Sequence, residues 1–224
     1  MKRLPLLSML VLSGLAASSQ VNDQGTIHLA VGVNAGGHAT QYEQTIRILG
    51  VPITSKESDG AATVTFPIEF QYGLAKVFSL GAYFEPGSYL DSSATRTNSL
   101  LLYGIAPRFY LVNNERFAWT AGLQFGGSTL RIDDSDALGA YTSTYRGPNF
   151  GLSSGVVFQF SDLIGLHLRA RFLTTSLALK EFERNGGGQS LENFEADLNT
   201  GGFTLGASLA RSEERRVGKE CRSR

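Results

Sequence analysis

Cysteine is almost missing from this sequence: the single one, Cys221, stands at the very end of a 224-residue chain. Disulfides therefore do not hold the body together, and stability has to come from backbone pairing and packing. Charge is sparse as well, at 18% of residues, and the formal net charge of zero conceals two basic ends. With Lys2, Arg3 and everything after Ala210 set aside, 12 Lys plus Arg face 17 Asp plus Glu. That mildly acidic body argues against nucleic acid as a partner. Helical periodicity is hard to find after the first twenty residues.

What is present begins with "MKRLPLLSMLVLSGLAASSQ". Two basic residues, an apolar stretch from Leu4 to Leu15, and the small residues Ala16 to Ser19 form the three-part pattern of a secretory signal peptide. The apolar stretch is too short for a comfortable helical span, so residues 1–19 are expected to be a cleaved export signal. No cysteine follows closely, which argues against a lipid-anchored form.

From residue 20 onward a two-residue period recurs eight times. "TIHLAVGVNAG" sets Ile27, Leu29, Val31 and Val33 opposite His28, Ala30 and Asn34, and "TVTFPIEFQYG" sets Val64, Phe66, Ile68 and Phe70 opposite Glu69 and Gln71. "FSLGAYFE", "LLLYGIAPRFYL", "FAWTAGLQFGG", "FGLSSGVVFQF", "LIGLHLRARFL" and "GGFTLGASLA" divide in the same way. Pro67 and Pro107 fall inside two of these runs and predict a bulge or weakened pairing there, because each removes a ladder donor. Leu100 and Leu102 share a face with Gly104 and Arg108, which leaves the register of the fourth run the least secure.

The connections alternate in length. Segments 35–62, 86–99, 128–149 and 174–200 are long and polar, whereas 73–76, 112–116 and 161–162 are tight. An even-numbered meander with long loops at one end and short turns at the other is what a transmembrane β-barrel requires. The all-β expectation is an eight-stranded antiparallel up-and-down transmembrane barrel over residues 20–210, with long extracellular loops and short periplasmic turns. Its edge in lipid would leave backbone groups unpaired at several kcal/mol each, so the eighth strand has to meet the first.

Which face is wet decides between a soluble carrier and a membrane barrel. One face collects Leu, Val, Ile, Phe and Trp; the other collects Gly, Ser and Thr with Glu69, Glu85, Arg108, Arg169 and Arg171. Eight strands enclose a lumen barely wide enough for side chains. Small residues and a few ionic ones fit inside it, and bulky apolar ones suit hydrocarbon outside, with Tyr72, Phe109, Trp119 and Phe160 as an interfacial girdle. Glu69, Glu85, Arg108, Arg169 and Arg171 are then expected to form a carboxylate–guanidinium network that plugs the barrel, since unpaired buried charge is costly.

Alternation stops after Ala210. "RSEERRVGKECRSR" resembles, codon for codon, the translation of a widely used sequencing-library adapter. Residues 211–224 are accordingly expected to be non-native, with Cys221 irrelevant to function. A polar segment of this kind also lacks the apolar face with which to finish a lipid-facing strand.

With the export signal, the eight runs, the loop asymmetry and phrases such as "YGIAPRFYL" and "FTLGASLA" in view, the chain resembles the small bacterial outer-membrane β-barrel proteins of the OmpA and OmpX type. The resemblance implies integral residence in the outer membrane, contact with the lipid bilayer and lipopolysaccharide, folding by the barrel-assembly machinery, and a filled lumen without a wide pore. It implies a structural or surface-interaction role and no cofactor. A narrow ion channel, an adhesin acting through protruding loops, and an outer-leaflet lipid-modifying enzyme stand as alternatives.

Catalytic signals are weak, and no enzyme is expected. His28, His38 and His167 lack ligand spacing, and the next same-face position after His167 holds Arg169, not Ser. "DDSDALG" lacks the closing Glu of a calcium loop, and no helix follows "GVNAGG" or "NGGGQ", so neither is a phosphate loop. "TIRILGVPIT" and "LTTSLALKEFERNGGG" keep β character beyond the membrane span, so segments 35–62 and 174–200 are the expected contacts for an extracellular protein partner.

Overall fold

The computed structural model describes residues 20–91, 98–136, 139–161 and 163–214. The expected export signal over 1–19 and Cys221 lie outside them. Eleven strands follow one another: β1 (Thr26–Ile48), β2 (Val51–Thr65), β3 (Ile68–Ala75), β4 (Phe78–Asp91), β5 (Asn98–Ile105), β6 (Arg108–Asn113), β7 (Phe117–Asp136), β8 (Gly139–Gln159), β9 (Ile164–Arg184), the dipeptide β10 (Gly187–Gly188) and β11 (Phe194–Glu214). β2 and β3 together make one wall element, as do β5 and β6, each interrupted by a proline. Eight wall elements result, antiparallel throughout, and β11 closes on β1.

Pro67 and Pro107 break strand assignment without opening the wall. Gly32 N–H still donates to the Pro67 carbonyl (3.1 Å) and Leu123 N–H to that of Pro107 (3.0 Å). Only the donor that proline lacks is lost. The predicted weakening is therefore confined to a single bond at each site.

Across the lower part of the wall the large apolar side chains face outward. Leu205 and Phe203 are each 69% exposed, and Phe66, Phe84, Trp119, Leu152 and Leu168 are exposed beside them. Outward aromatics pair across strands in two tiers. Phe78–Phe109 and Phe117–Phe158 form the tier at the short-turn end, with centroids 4.9 and 5.5 Å apart; Phe125–Phe150 and Phe172–Phe203 form the upper one, at 5.2 and 5.1 Å. Phe158 and Phe150 stand eight residues apart on β8, about 20 Å of height in a tilted barrel strand and close to a bilayer's apolar thickness. At the short-turn end Asn22 donates its side-chain amide to the carbonyls of Ala75 (2.8 Å) and Lys76 (3.2 Å), and Val21 is buried with Tyr110, Ala118 and Val157.

Two sequence-based expectations change. The long connections are largely strand: β1, β7, β8, β9 and β11 run for 20 to 23 residues, about twice what crosses a bilayer. β1 and β2 meet in a two-residue turn at Leu49 and Gly50, both at positive φ (51° and 81°), the backbone that suits a tight hairpin. β11 also continues through Glu214, four residues past Ala210, because Thr26 to Leu29 of β1 supply backbone partners irrespective of side chain.

Leu205→Arg, in the middle of the apolar belt, is expected to cost about 2–4 kcal/mol in urea titrations of the barrel in phospholipid vesicles. An effect near zero would place this face in water.

Candidate functional site: the filled lumen

The inward positions build two ionic clusters, one above the other. Near the short turns, Glu69 on β3 accepts from Arg108 Nη2 on β6 (2.6 Å) and from Arg169 Nη1 on β9. Above it, Glu85 on β4 takes a bidentate pair from Arg171 on β9, Nη1 to Oε2 and Nη2 to Oε1 both at 2.7 Å. Both carboxylates and all three guanidinium groups are buried. The two-residue period on β9 places Arg169 and Arg171 on one face, at successive inward positions.

The second cluster is the more completely bonded. Glu85 Oε1 also accepts from Asn34 Nδ2 (2.8 Å) and Thr65 Oγ1 (2.5 Å), and Arg171 donates to Gln124 Oε1 (2.9 Å) and Thr204 Oγ1 (3.1 Å). Charge-assisted bonds of this kind, with both carboxylate oxygens and the guanidinium of the pair engaged, offset much of the desolvation of the ions. Glycine makes the room: a Cβ on Gly206 would collide with the Asn34 amide, and one on Gly155 would come within 2.6 Å of His167 Nε2. The five ionic residues are brought together here. Asn34, Thr65, Gln124 and Thr204, which hold them in place, carry no sequence signal beyond being polar and inward.

Toward the outer end the lumen changes character. Leu100, Leu102, Leu130, Leu173, Leu177 and Leu198 pack with Tyr83, Tyr89 and Tyr145 into one buried cluster. A lumen of small, hydroxyl and ionic side chains is thus only half of what is there. Tyrosine hydroxyls find partners, Tyr83 donating to Asn149 Oδ1 (2.6 Å) and Tyr89 pairing with Thr40 Oγ1 (2.7 Å). Leu100 and Leu102, whose register was the least secure, are the visible edge of this layer.

The histidines are all lumenal and buried. His38 Nε2 meets Thr63 Oγ1 (2.9 Å), and His28 Nδ1 meets Ser212 Oγ (2.7 Å). Asp133 and Asp134 sit on the protruding part of β7, where Asp133 accepts from Thr142 Oγ1 (2.6 Å).

Solved structures resemble this architecture at low sequence identity. The outer membrane protein AlkL, determined in DMPC bilayers, matches over 91% of this chain and 97% of its own, at 13% identity and a TM-score of 0.53. The chain has the fold of a small outer-membrane β-barrel. OprG from Pseudomonas aeruginosa (86% of this chain, 98% of its own, 11% identity, TM-score 0.49) and the protease OmpT from Escherichia coli (88% and 99%, 10%, 0.43) are similar at a lower level. No protein-family model matches the sequence, and no curated protein does.

Removing one partner from the upper cluster of this barrel isolates a buried charge. Glu85→Leu alone is expected to destabilise by about 3–5 kcal/mol in urea, as is Arg171→Met alone, while the two changes together recover most of that loss. Additive effects in this double-mutant cycle would show that the pair is not coupled.

Proposed function

We propose that this protein is an integral, non-conducting, non-catalytic outer-membrane barrel that presents a β-sheet wall for contact with an extracellular protein. One observation carries the reading: above the apolar belt the hydrophobic alternation reverses phase. On β9, Ile164, Leu168 and Phe172 face out, whereas Leu173 and Leu177 face in. On β1, Leu29, Val31 and Val33 are outward, whereas the next bulky residues, Tyr42, Ile46 and Ile48, occupy the opposite parity. A sheet with apolar residues on its concave side and polar ones outside is built for water.

This protruding sheet is continuous. Pairing runs without a missing strand from β7 through β8, β9, β11 and β1 to β2, as far as Asp136↔Gly139, Ile46↔Phe194 and Ile48↔Val51. β2 and β7 run on past their last pairs with β4 and β5 among the described residues, Ala61↔Asp91 and Ser99↔Arg131, to Val51 and Asp136 on the tall side of the mouth. Its tip carries Ile46, Ile48, Leu49, Val51 and Ile53, all exposed, with Leu49 fully so. Exposed apolar patches rimmed by polar residues mark interaction sites; segment 35–62 supplies this one, and segment 174–200 pairs beside it through Ile46↔Phe194. The ionic clusters and the leucine layer, stacked in series, support the absence of an ion path. Burial of all three histidines inside the lumen, away from the outer rim, supports the absence of catalysis.

Replacing residues 41–58 by Asn-Gly keeps the Thr40↔Asp59 pair as the closing rung of a type I′ hairpin. The shortened barrel is expected to retain heat-modifiable gel mobility and to lose binding to host-cell or matrix surfaces. Full retention of binding would remove the tip from the interface.

In planar bilayers the wild-type barrel is expected to give no resolved conductance steps. Discrete, ion-selective steps abolished by blocking substitutions at Leu102 would replace this reading with the channel.

A further inference from the structure

The buried charges of the lumen do not balance. Glu69 and Glu85 are the buried carboxylates among the described residues, against the guanidinium groups of Arg108, Arg169 and Arg171, one positive charge in excess. The excess is local. Arg171 is matched by Glu85 in the upper cluster, so Arg108 and Arg169 share the single carboxylate of Glu69 at the short-turn end. Protonation of His28 or His167, both beside that cluster, would only enlarge it.

Acceptors run short at the same place. Arg169 Nη2 and His167 Nε2 are buried with no hydrogen-bond partner, and their residues are 8% and 3% exposed. His167 also borders a small enclosed cavity, together with His28, Gln71, Arg108, Tyr110 and Val157, that has room for about one water-sized particle. Below, Val21 packs with Tyr110 and Val157 and closes the cavity toward the short turns. An uncompensated ion in so dry a setting costs several kcal/mol, far more than an unfilled void of this size.

We propose that this cavity binds one small monovalent anion, of about chloride size or less, which completes the charge balance of the lumen. Arg108 supplies the opposite charge, the Gln71 amide and the unpartnered Nε2 of His167 supply neutral donors, and the apolar Val21 and Val157 keep water from screening the pair; the ring nitrogens of His28 are taken up by Ser212 Oγ and Asn22 Oδ1. A water molecule would fit the same space and satisfy the donors, but it leaves the charge unmatched.

The test is equilibrium urea unfolding of the full chain in phospholipid vesicles, followed by Trp119 fluorescence, at constant ionic strength with sodium chloride exchanged for sodium gluconate. Because an anion bound only to the folded state adds to its stability by mass action, the folding constant is expected to rise about tenfold for each tenfold rise in chloride above the dissociation constant. Gln71→Glu supplies the missing negative charge covalently and is expected to abolish the chloride dependence; Arg108→Gln, which leaves a balanced Glu69–Arg169 pair, is expected to do the same. A folding constant independent of chloride in the wild type would overturn the proposal, as would an unchanged chloride response in whichever of the two variants folds.

Discussion

Closure is the constraint from which the other features descend. β11 lies against β1 from Thr26↔Glu214 to Ile46↔Phe194, and that seam turns a sheet with two open edges into a wall with none. In hydrocarbon each unpaired backbone group costs several kcal/mol, so an open edge through the belt would outweigh the whole stability of an ordinary domain. Eight strands satisfy closure only by curving tightly, and tight curvature fixes a narrow interior. Every inward side chain therefore packs against those across the lumen. Phe203 and Leu205 face out into the apolar belt, while Gly206 and Gly155 face in because Asn34 and His167 already fill the space in front of them.

Given that interior, the two lumen layers solve different problems. The lower one holds ions that the bilayer could not tolerate alone, and it holds them with the geometry that makes guanidinium and carboxylate strongest: Arg171 forks onto both oxygens of Glu85. A pair of this sort rarely adds net stability over apolar side chains of the same size, but it punishes any mispaired register, since a slip of one residue would turn Arg169 and Arg171 into lipid. The upper layer of leucine and tyrosine resembles the core of a soluble protein, and it begins where the wall leaves the membrane. Register is thus enforced from both faces, by grease outside the belt and by ions inside it.

Much of this was legible in the alternation. The eight runs each fall on one wall element, and the glycine-rich face of "FTLGASLA" is the inward one. The outer layer was harder to see. "LLLYG" offers leucines on both faces, and "RARFLTTSLALK" moves from Phe172 outward to Leu173 and Leu177 inward across a run with no turn residue to mark the change. A rule that asks only whether large residues alternate reads such a stretch as loop, because the parity that held from Ile164 to Phe172 fails there. The same failure hid the length of β1 and β9. Partners such as Asn34 and Gln124 escaped for another reason: they are chosen by what stands across the lumen, on strands up to 137 residues away in sequence in the case of Arg171 and Asn34's shared carboxylate, and a single sequence carries no trace of that meeting.

The reversal of parity has a physical meaning beyond its use in assignment. Below it the solvent for the outer face is hydrocarbon, and above it water; the wall does not change its fold at that height, only the sign of its preference. Phe172 and Phe203 pair outward at the boundary, one position below the point where Leu173 turns inward. The bilayer edge is therefore written into the strands as a phase shift, and an aromatic tier sits on it because ring faces tolerate both sides of an interface. Any exposed apolar residue well above this line, where water bathes both faces, has no lipid to meet. The isoleucines and valine at the β1–β2 tip stand in that position, on the face that lower down lines the lumen, so their exposure has to be explained by something other than the membrane.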